Sequence, residues 1–429
     1  MQEISAVGAE IGAESATAAD VDVKTNERPW VFGLMIAPSS VVANGVIQGG
    51  ILAYLMSRQN ISGLRASQII SLLTLPTTIY FLWSPITDFL VRRRTWLLLG
   101  SMCAAVLMVL GFEQKRLDST SAVVLMFLSA CCVQLVVSSC GGMMGALRSE
   151  RAKRLASGFY QSGGLGFGAA AVFVLVMVFE RGHSKLIPLL AGALIAIPAL
   201  FALAAPKQEV VVEDGFGRTM RRIWGEFKET FLNWRAVPYT LMMLAPLASG
   251  AAIGLLTGVA RSYGVGGQQV AWMNGLGGAA LMAVGSLAAT LIPARFRASV
   301  AYLTVALVNA ATLGVLWLGP LLPATYYLGV TLYLFTVGMA YAMFTAVVLE
   351  FLGSSGKSGS GRYSIINSMG NVPVVYMLAM DGWGGDRWGA RGLAGTEAVM
   401  GAVGATVLLA YFLTKGRKSK GREKGLASA

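Results

Sequence analysis

Residues 95–112 read Thr95-Trp96-Leu97-Leu98-Leu99-Gly100-Ser101-Met102-Cys103-Ala104-Ala105-Val106-Leu107-Met108-Val109-Leu110-Gly111-Phe112, with Arg94 and Glu113 closing an uncharged run. A bilayer core about 30 Å thick takes about 20 predominantly apolar residues per helix. The stretch reads as a membrane span, and the same pattern repeats outward from it. Uncharged runs lie between Arg28 and Arg58, Arg65 and Asp88, Asp118 and Arg148, Arg154 and Glu180, Lys185 and Lys207, Arg235 and Arg261, and Arg261 and Arg295. The run from Arg297 to Glu350 holds two spans broken at Gly319, Pro320 and Pro323, and Arg362 to Asp381 and Glu397 to Lys415 hold one each. The expected fold is therefore all-α and integral to the membrane, with twelve transmembrane helices in two six-helix bundles.

Composition agrees. Of 429 residues 55% are hydrophobic and 13% charged, against roughly 25% charged in soluble proteins. Mean hydropathy is +0.64. One histidine and four cysteines argue against a site that draws three or four ligands from those residues, so no metal or other cofactor is expected. The cysteines, Cys103, Cys131, Cys132 and Cys140, all fall within spans and read as small packing residues.

Five regions follow. Residues 1–29 form an acidic, aromatic-poor tail expected to be disordered. Residues 30–205 and 236–414 form the two bundles. Between them, 206–235 form a linker in which Met220, Ile223, Trp224, Phe227, Phe231 and Trp234 recur at helical spacing, an amphipathic surface helix. Residues 415–429 form a basic tail. Alternating the loops with both termini on one side places 25 of the 34 basic residues on that side. Both termini are therefore expected to be cytoplasmic, in an inner or cytoplasmic membrane. The net charge of +13 then faces anionic lipid headgroups, and no folded basic domain offers a nucleic-acid surface.

Apparent catalytic motifs fail. Gly356-Lys357-Ser358 resembles the end of a phosphate loop, but Phe351 stands where the earlier glycine is required. His183 lies in a loop without a carboxylate-rich partner cluster. No catalytic residues and no enzyme are expected.

The most specific stretch is Leu82-Trp83-Ser84-Pro85-Ile86-Thr87-Asp88 with Arg92-Arg93-Arg94-Thr95-Trp96. Asp88, Arg92 and Arg93 match part of the G-x-x-x-D-R-x-G-R-R loop, and the chain resembles the major facilitator superfamily of transporters. Ser84, Phe89 and Val91 depart from that loop's other positions. The form W-x-P-x-x-D then R-R-x-W looks more like one branch, the AmpG-type muropeptide permeases and related acetyl-CoA transporters. Arg151 to Gly158 leading into Gly164 and Gly166, and Gly370-Asn371-Val372-Pro373 running on to Asp381-Gly382, resemble the same branch. The resemblance implies a gate at Asp88, Arg92, Arg93 and Arg94 that braces one state of a carrier, where a carboxylate beside guanidinium groups can lock helix ends. Arg295 and Arg297 occupy the matching place in the second half, with no acid before them.

Solute contacts in such carriers come from polar groups near mid-membrane. The candidates are Asn44 and Gln48, Gln134 and Ser138, Gln161, Asn274, Asn309, and Asn367 and Asn371. Each either lines a cavity or makes an interhelical hydrogen bond, because an unpaired amide in hydrocarbon is costly. Gly45 with Gly49, Gly141 with Gly145, and Gly164 with Gly168 allow close helix contacts, either sliding or static. Asp88, Glu180, Glu350 and Asp381 are all expected near helix ends, with no ionisable group in mid-span. The branch pattern T-Q-D-x-x-x-D keeps only Gln134 of its polar members, with Leu135 and Ser139 at the acid positions. The expectation is a monomeric carrier moving a small organic solute by alternating access, as a uniporter or exchanger, without a nucleic-acid partner. The alternative is a non-transporting membrane scaffold or assembly factor.

Overall fold

The computed structural model describes residues 28–205 and 237–427 except 49–50, 62, 89, 275 and 353–358, together with a few linker positions between them. The N-terminal tail, the Gly356-Lys357-Ser358 loop and most of the amphipathic linker lie outside the described residues. Of the linker, Trp224 and Lys228 are described in helical conformation, the ammonium 5.8 Å from the indole centroid.

Among the described residues all regular structure is helical. The first span, α1, is assembled from Val31–Met35, Ala37–Ser40, a π-helical stretch Val41–Ile47, and Ile51–Arg58. The second, α2, is Gly63–Ile79 extended by the tight turns Tyr80–Leu82 and Ser84–Asp88. Then come α3 (Arg93–Phe112), α4 (Thr120–Gly145), α5 (Glu150–Glu180) and α6 (Ser184–Ala204). In the second half, α7 has two pieces, Val237–Leu244 and Ala252–Val259, and α8 is Gly267–Asn274 plus Leu276–Ala288. After α9 (Ala298–Leu318) and α10 (Pro323–Leu352), α11 takes in Gly359–Gly370 and continues from Val372. A single non-helical residue, Gly389 (φ 67°, ψ −156°), separates α11 from α12, and helix then runs to Ala427, through the basic segment expected as a separate tail. That backbone conformation is one that only glycine adopts readily.

Local chemistry sets several helix starts. Ser119 and Ser149 each accept a hydrogen bond from the amide three residues on, Ala122 at 3.2 Å and Ala152 at 2.9 Å, capping α4 and α5. Such caps satisfy amides that the helix cannot. Among the described residues seven helices are long and apolar enough to cross a membrane. Large apolar side chains such as Val106, Leu128, Leu189, Ile197, Leu328 and Val403 are exposed on the outside, where lipid rather than water would meet them.

Each half has its own packed core. In the first, Val42, Ile47, Leu52, Met108, Met126 and Ile195 pack together; in the second, Leu256, Tyr263, Leu313, Tyr326, Tyr333 and Leu393 do. A further cluster joins the halves, with Val136, Cys140 and Met144 of α4 against Val348, Leu352, Tyr363 and Ile366 of α10 and α11. The cysteines are all free.

Candidate solute cavity and gates

Between the two halves lies a cavity of about 480 Å³. Six of the sequence-predicted residues converge on it: Asn44 and Gln48 of α1, Gln134 of α4, Gln161 of α5, and Asn367 and Asn371 of α11. Sequence reasoning missed the hydroxyls that join them, among them Ser39, Thr74, Thr77, Tyr80, Tyr160 and Tyr341. These are ordinary helix residues in sequence, and only their shared direction marks them. Among the described lining residues none is charged.

The other predicted residues are placed elsewhere. Ser138 is buried beside the Asp88 loop, 3.4 Å from both the Ser84 carbonyl and the Thr87 hydroxyl. Asn309 donates to the Thr336 hydroxyl at 2.8 Å inside the second bundle, the interhelical bond that was its alternative. Asn274 ends its helical segment, and its side chain lies outside the described part of the structure. His183 is exposed.

The polar lining is tied across the bundles at several points. Asn367 donates to the Tyr80 hydroxyl at 3.0 Å, Gln161 to the Thr345 hydroxyl at 2.8 Å and Asn371 to the Thr77 carbonyl at 3.5 Å. Towards the face that carries Asp88 the contacts become tighter. Tyr363 of α11 sits directly on Gly141 of α4, Thr290 at the end of α8 sits on Gly158 of α5, and Leu352 packs on Gly145. Arg154 donates to the Pro293 carbonyl at 2.8 Å. A Cβ at Gly141 or Gly158 would collide with the facing side chain, so the Gly141–Gly145 pair belongs to the seam between halves. Gly45 and Gly168, by contrast, bring α1 against α5 within one bundle, and the Gly164 carbonyl accepts from Asn44 at 2.9 Å and from Ser40. The cavity is thus sealed toward the Asp88 face.

The first helix of each half is irregular where it borders the cavity. In α1 the irregularity is the π-helical stretch around Asn44. In α7 the helix breaks, with left-handed backbone at Ala248 (φ 48°) and Gly250 (φ 75°). The break leaves carbonyls without helical partners, and tyrosines from three other helices supply them. Tyr376 donates to the Leu244 carbonyl at 2.8 Å, Tyr302 to that of Leu247 at 3.0 Å and Tyr341 to that of Ser249 at 3.1 Å. Irregular backbone inside a membrane protein requires such partners.

The arginine clusters differ between halves. Arg93 directs Nε and Nη2 onto Asp88 Oδ1 at 2.9 and 2.7 Å and Nη1 onto the Gly142 carbonyl at 3.1 Å. The pair is almost wholly buried (2% and 0% exposed) and binds the α2–α3 loop to the end of α4. Arg92 is exposed and Arg94 half-buried, so of the three arginines Arg93 has the geometry of a lock. In the second half the acid absent before Arg297 comes from another helix. Glu350 at the end of α10 lies 4.0 Å from Arg297 and accepts from the Ala298 amide at 2.8 Å.

One expectation is overturned. Asp381 and Glu397 do not mark helix ends, because α11 and α12 continue past them to the corner at Gly389. Each lies about two turns inside its helix, and they are 0% and 2% exposed. Acids sit in mid-span here because a folded pocket, rather than lipid, surrounds them.

No family model matches the sequence, and no curated protein matches it. Solved structures do resemble the fold. The human organic anion transporter MFSD10 (TETRAN) superposes with a TM-score of 0.64 at 15% identity, over 90% of this chain and 99% of that one. The major facilitator superfamily transporter FucP, in its outward conformation, gives 0.64 at 14% identity over 90% and 99%. A bacterial homologue of the iron transporter ferroportin, in its outward-facing state, gives 0.62 at 14% over 90% and 98%. The chain therefore has the fold of major facilitator superfamily transporters.

Proposed function

We propose that this chain is a secondary transporter that moves a small, uncharged, polar organic solute across a membrane by alternating access. The observation that carries the reading is the inter-bundle cavity, lined by six side-chain amides and many hydroxyls and sealed toward the Asp88 face. A scaffold has no use for a polar cavity between its bundles and would fill that space with apolar side chains. The absence of charge among the described lining residues favours a solute that brings hydroxyl or amide groups rather than ions, since buried charges need paired partners.

The distribution of basic residues supports a cytoplasmic position for the Asp88 face and both termini. The described state then opens outward, as do the named FucP and ferroportin-homologue structures. On this reading Asp88 and Arg93 hold the inner gate closed, with Arg92 and Arg94 anchoring it among anionic headgroups. Asn44, Gln48, Gln134, Gln161, Asn367 and Asn371 contact solute. Both bundles and the whole cavity come from one chain, which supports a monomeric unit. The short AmpG-like stretches support kinship with that branch, while Leu135 and Ser139 argue for a cargo other than its muropeptides.

A thermal-shift screen of the purified protein against monosaccharides, polyols and small amides, set beside charged analogues, tests this. A neutral solute at 100 times its Kd stabilises by about 2.7 kcal/mol, and Asn44→Ala and Gln134→Ala weaken that shift. Stabilisation by anions or cations alone, or no uptake of the stabilising solute into proteoliposomes, overturns the reading.

A further inference from the structure

Four helices meet at Glu397. Its Oε1 accepts from the Ser249 hydroxyl at 3.0 Å and the Tyr333 hydroxyl at 2.9 Å, and its Oε2 accepts from the Ala252 amide at 2.9 Å. Ala252 opens the second piece of α7, so this carboxylate caps the helix immediately beyond the break. Ser249 belongs to the break itself and lines the cavity. Three donors of this kind favour a negative charge on Glu397.

Asp381 is the opposite case. It is fully buried, and neither of its oxygens has a donor among the described residues. Across the corner, Gly384 and Gly385 of α11 pack on Thr396 and Leu393 of α12, which sets Asp381 opposite the Glu397 carboxyl. The titratable groups facing the pair from other helices are Tyr333 and Tyr341, both of α10. From α7 come only the Ser249 hydroxyl and the Ala252 amide. Among the described residues no lysine, arginine or histidine forms an ion pair with either acid.

Two facing carboxylates repel each other when both ionise in a buried site, and a buried acceptor without a donor is expensive. A proton on Asp381, donated to Glu397, removes both problems at once. We propose that Asp381 and Glu397 form a proton-binding site in the second bundle, sharing one proton that fastens the broken α7 at the cavity wall. Loss of the proton places two anions against each other behind Ser249 and loosens the α7 break from α11 and α12. As the coupling site of the carrier, this inference rests on the transporter reading, and it replaces the expectation of uniport or exchange; as a proton site it stands on the geometry alone.

Infrared spectroscopy of the purified full chain in lipid nanodiscs tests the proton site without any solute. The expected result is a protonated-carboxyl C=O band at neutral pH that shifts in D2O, persists in the loop variant Asp118→Asn and vanishes in Asp381→Asn. The asparagine keeps the volume of the aspartate and supplies an N–H to Glu397, so the variant folds. A wild-type spectrum lacking the band, or a band that survives Asp381→Asn, overturns the proposal. Thermal stability gives a second readout. A proton held in the folded state stabilises at low pH, and that stability is lost as pH rises through the titration of the pair. The wild type therefore loses stability with rising pH more steeply than Asp381→Asn. Parallel profiles overturn the proposal. Neither readout depends on uptake, so failure of the transporter reading would be seen separately.

Discussion

The Asp88–Arg93 pair and the Glu350–Arg297 pair occupy corresponding corners of the two halves, yet they are different devices. The first is dry, made by two nitrogens on one oxygen, and anchored to a third helix through the Gly142 carbonyl. The second is open to solvent, with Arg297 50% and Glu350 27% exposed and their closest N–O distance at 4.0 Å. An exposed pair contributes about 0–1 kcal/mol, whereas breaking a buried one costs about 3–5 kcal/mol because a charge is left stranded. Equal placement in a repeated architecture therefore does not mean equal duty. Glu350 retains one role independent of Arg297, the hydrogen bond from the Ala298 amide at the start of α9.

The most severe way to break this contrast is Asp88→Asn, which leaves Arg93 buried without its counter-charge. A loss of about 3–5 kcal/mol is expected, measured by denaturation in detergent; a loss under about 1 kcal/mol would make the two corners equivalent. Gly141→Val comes next, forcing a branched side chain into Tyr363 across the seam. Overpacking of about 1–3 kcal/mol falls on the state sealed at the Asp88 face, so hydrogen–deuterium exchange should rise along residues 363–371. Tyr302→Phe strands the Leu247 carbonyl in the α7 break, at about 1–3 kcal/mol for an unsatisfied buried acceptor. A thermal-melt change near zero would mean that water replaces the hydroxyl. The smallest effect belongs to Arg297→Ala, within about 1 kcal/mol. A double-mutant cycle with Glu350→Gln should give a coupling energy inside that range, and a larger value would erase the distinction.

Much of the architecture was legible because a bilayer imposes one simple rule on composition, and runs such as 95–112 obey it. The amide set was legible for a similar reason: Asn44, Gln134 and Asn367 have few other uses inside lipid. Asn309 and Ser138 were ambiguous because a side-chain hydrogen bond between helices satisfies them equally well. The acids at 381 and 397 were misplaced for a definite cause. When charged residues are used to bound helices, every acid falls at an end by construction, and only the continuation of α11 and α12 to Gly389 reveals two inside. The α7 break left a local trace in Pro246 and Gly250. Its tyrosine partners come from α9, α10 and α11, a long-range arrangement that no local pattern carries.

The corner at Gly389 is a single residue. Without a slack loop between α11 and α12, a twist imposed on α11 beyond Asn371 would be passed across the corner toward Glu397. An insertion of even a few flexible residues at this corner would disconnect the two while leaving each helix intact, which makes it a place where mechanical transmission could be cut independently of binding.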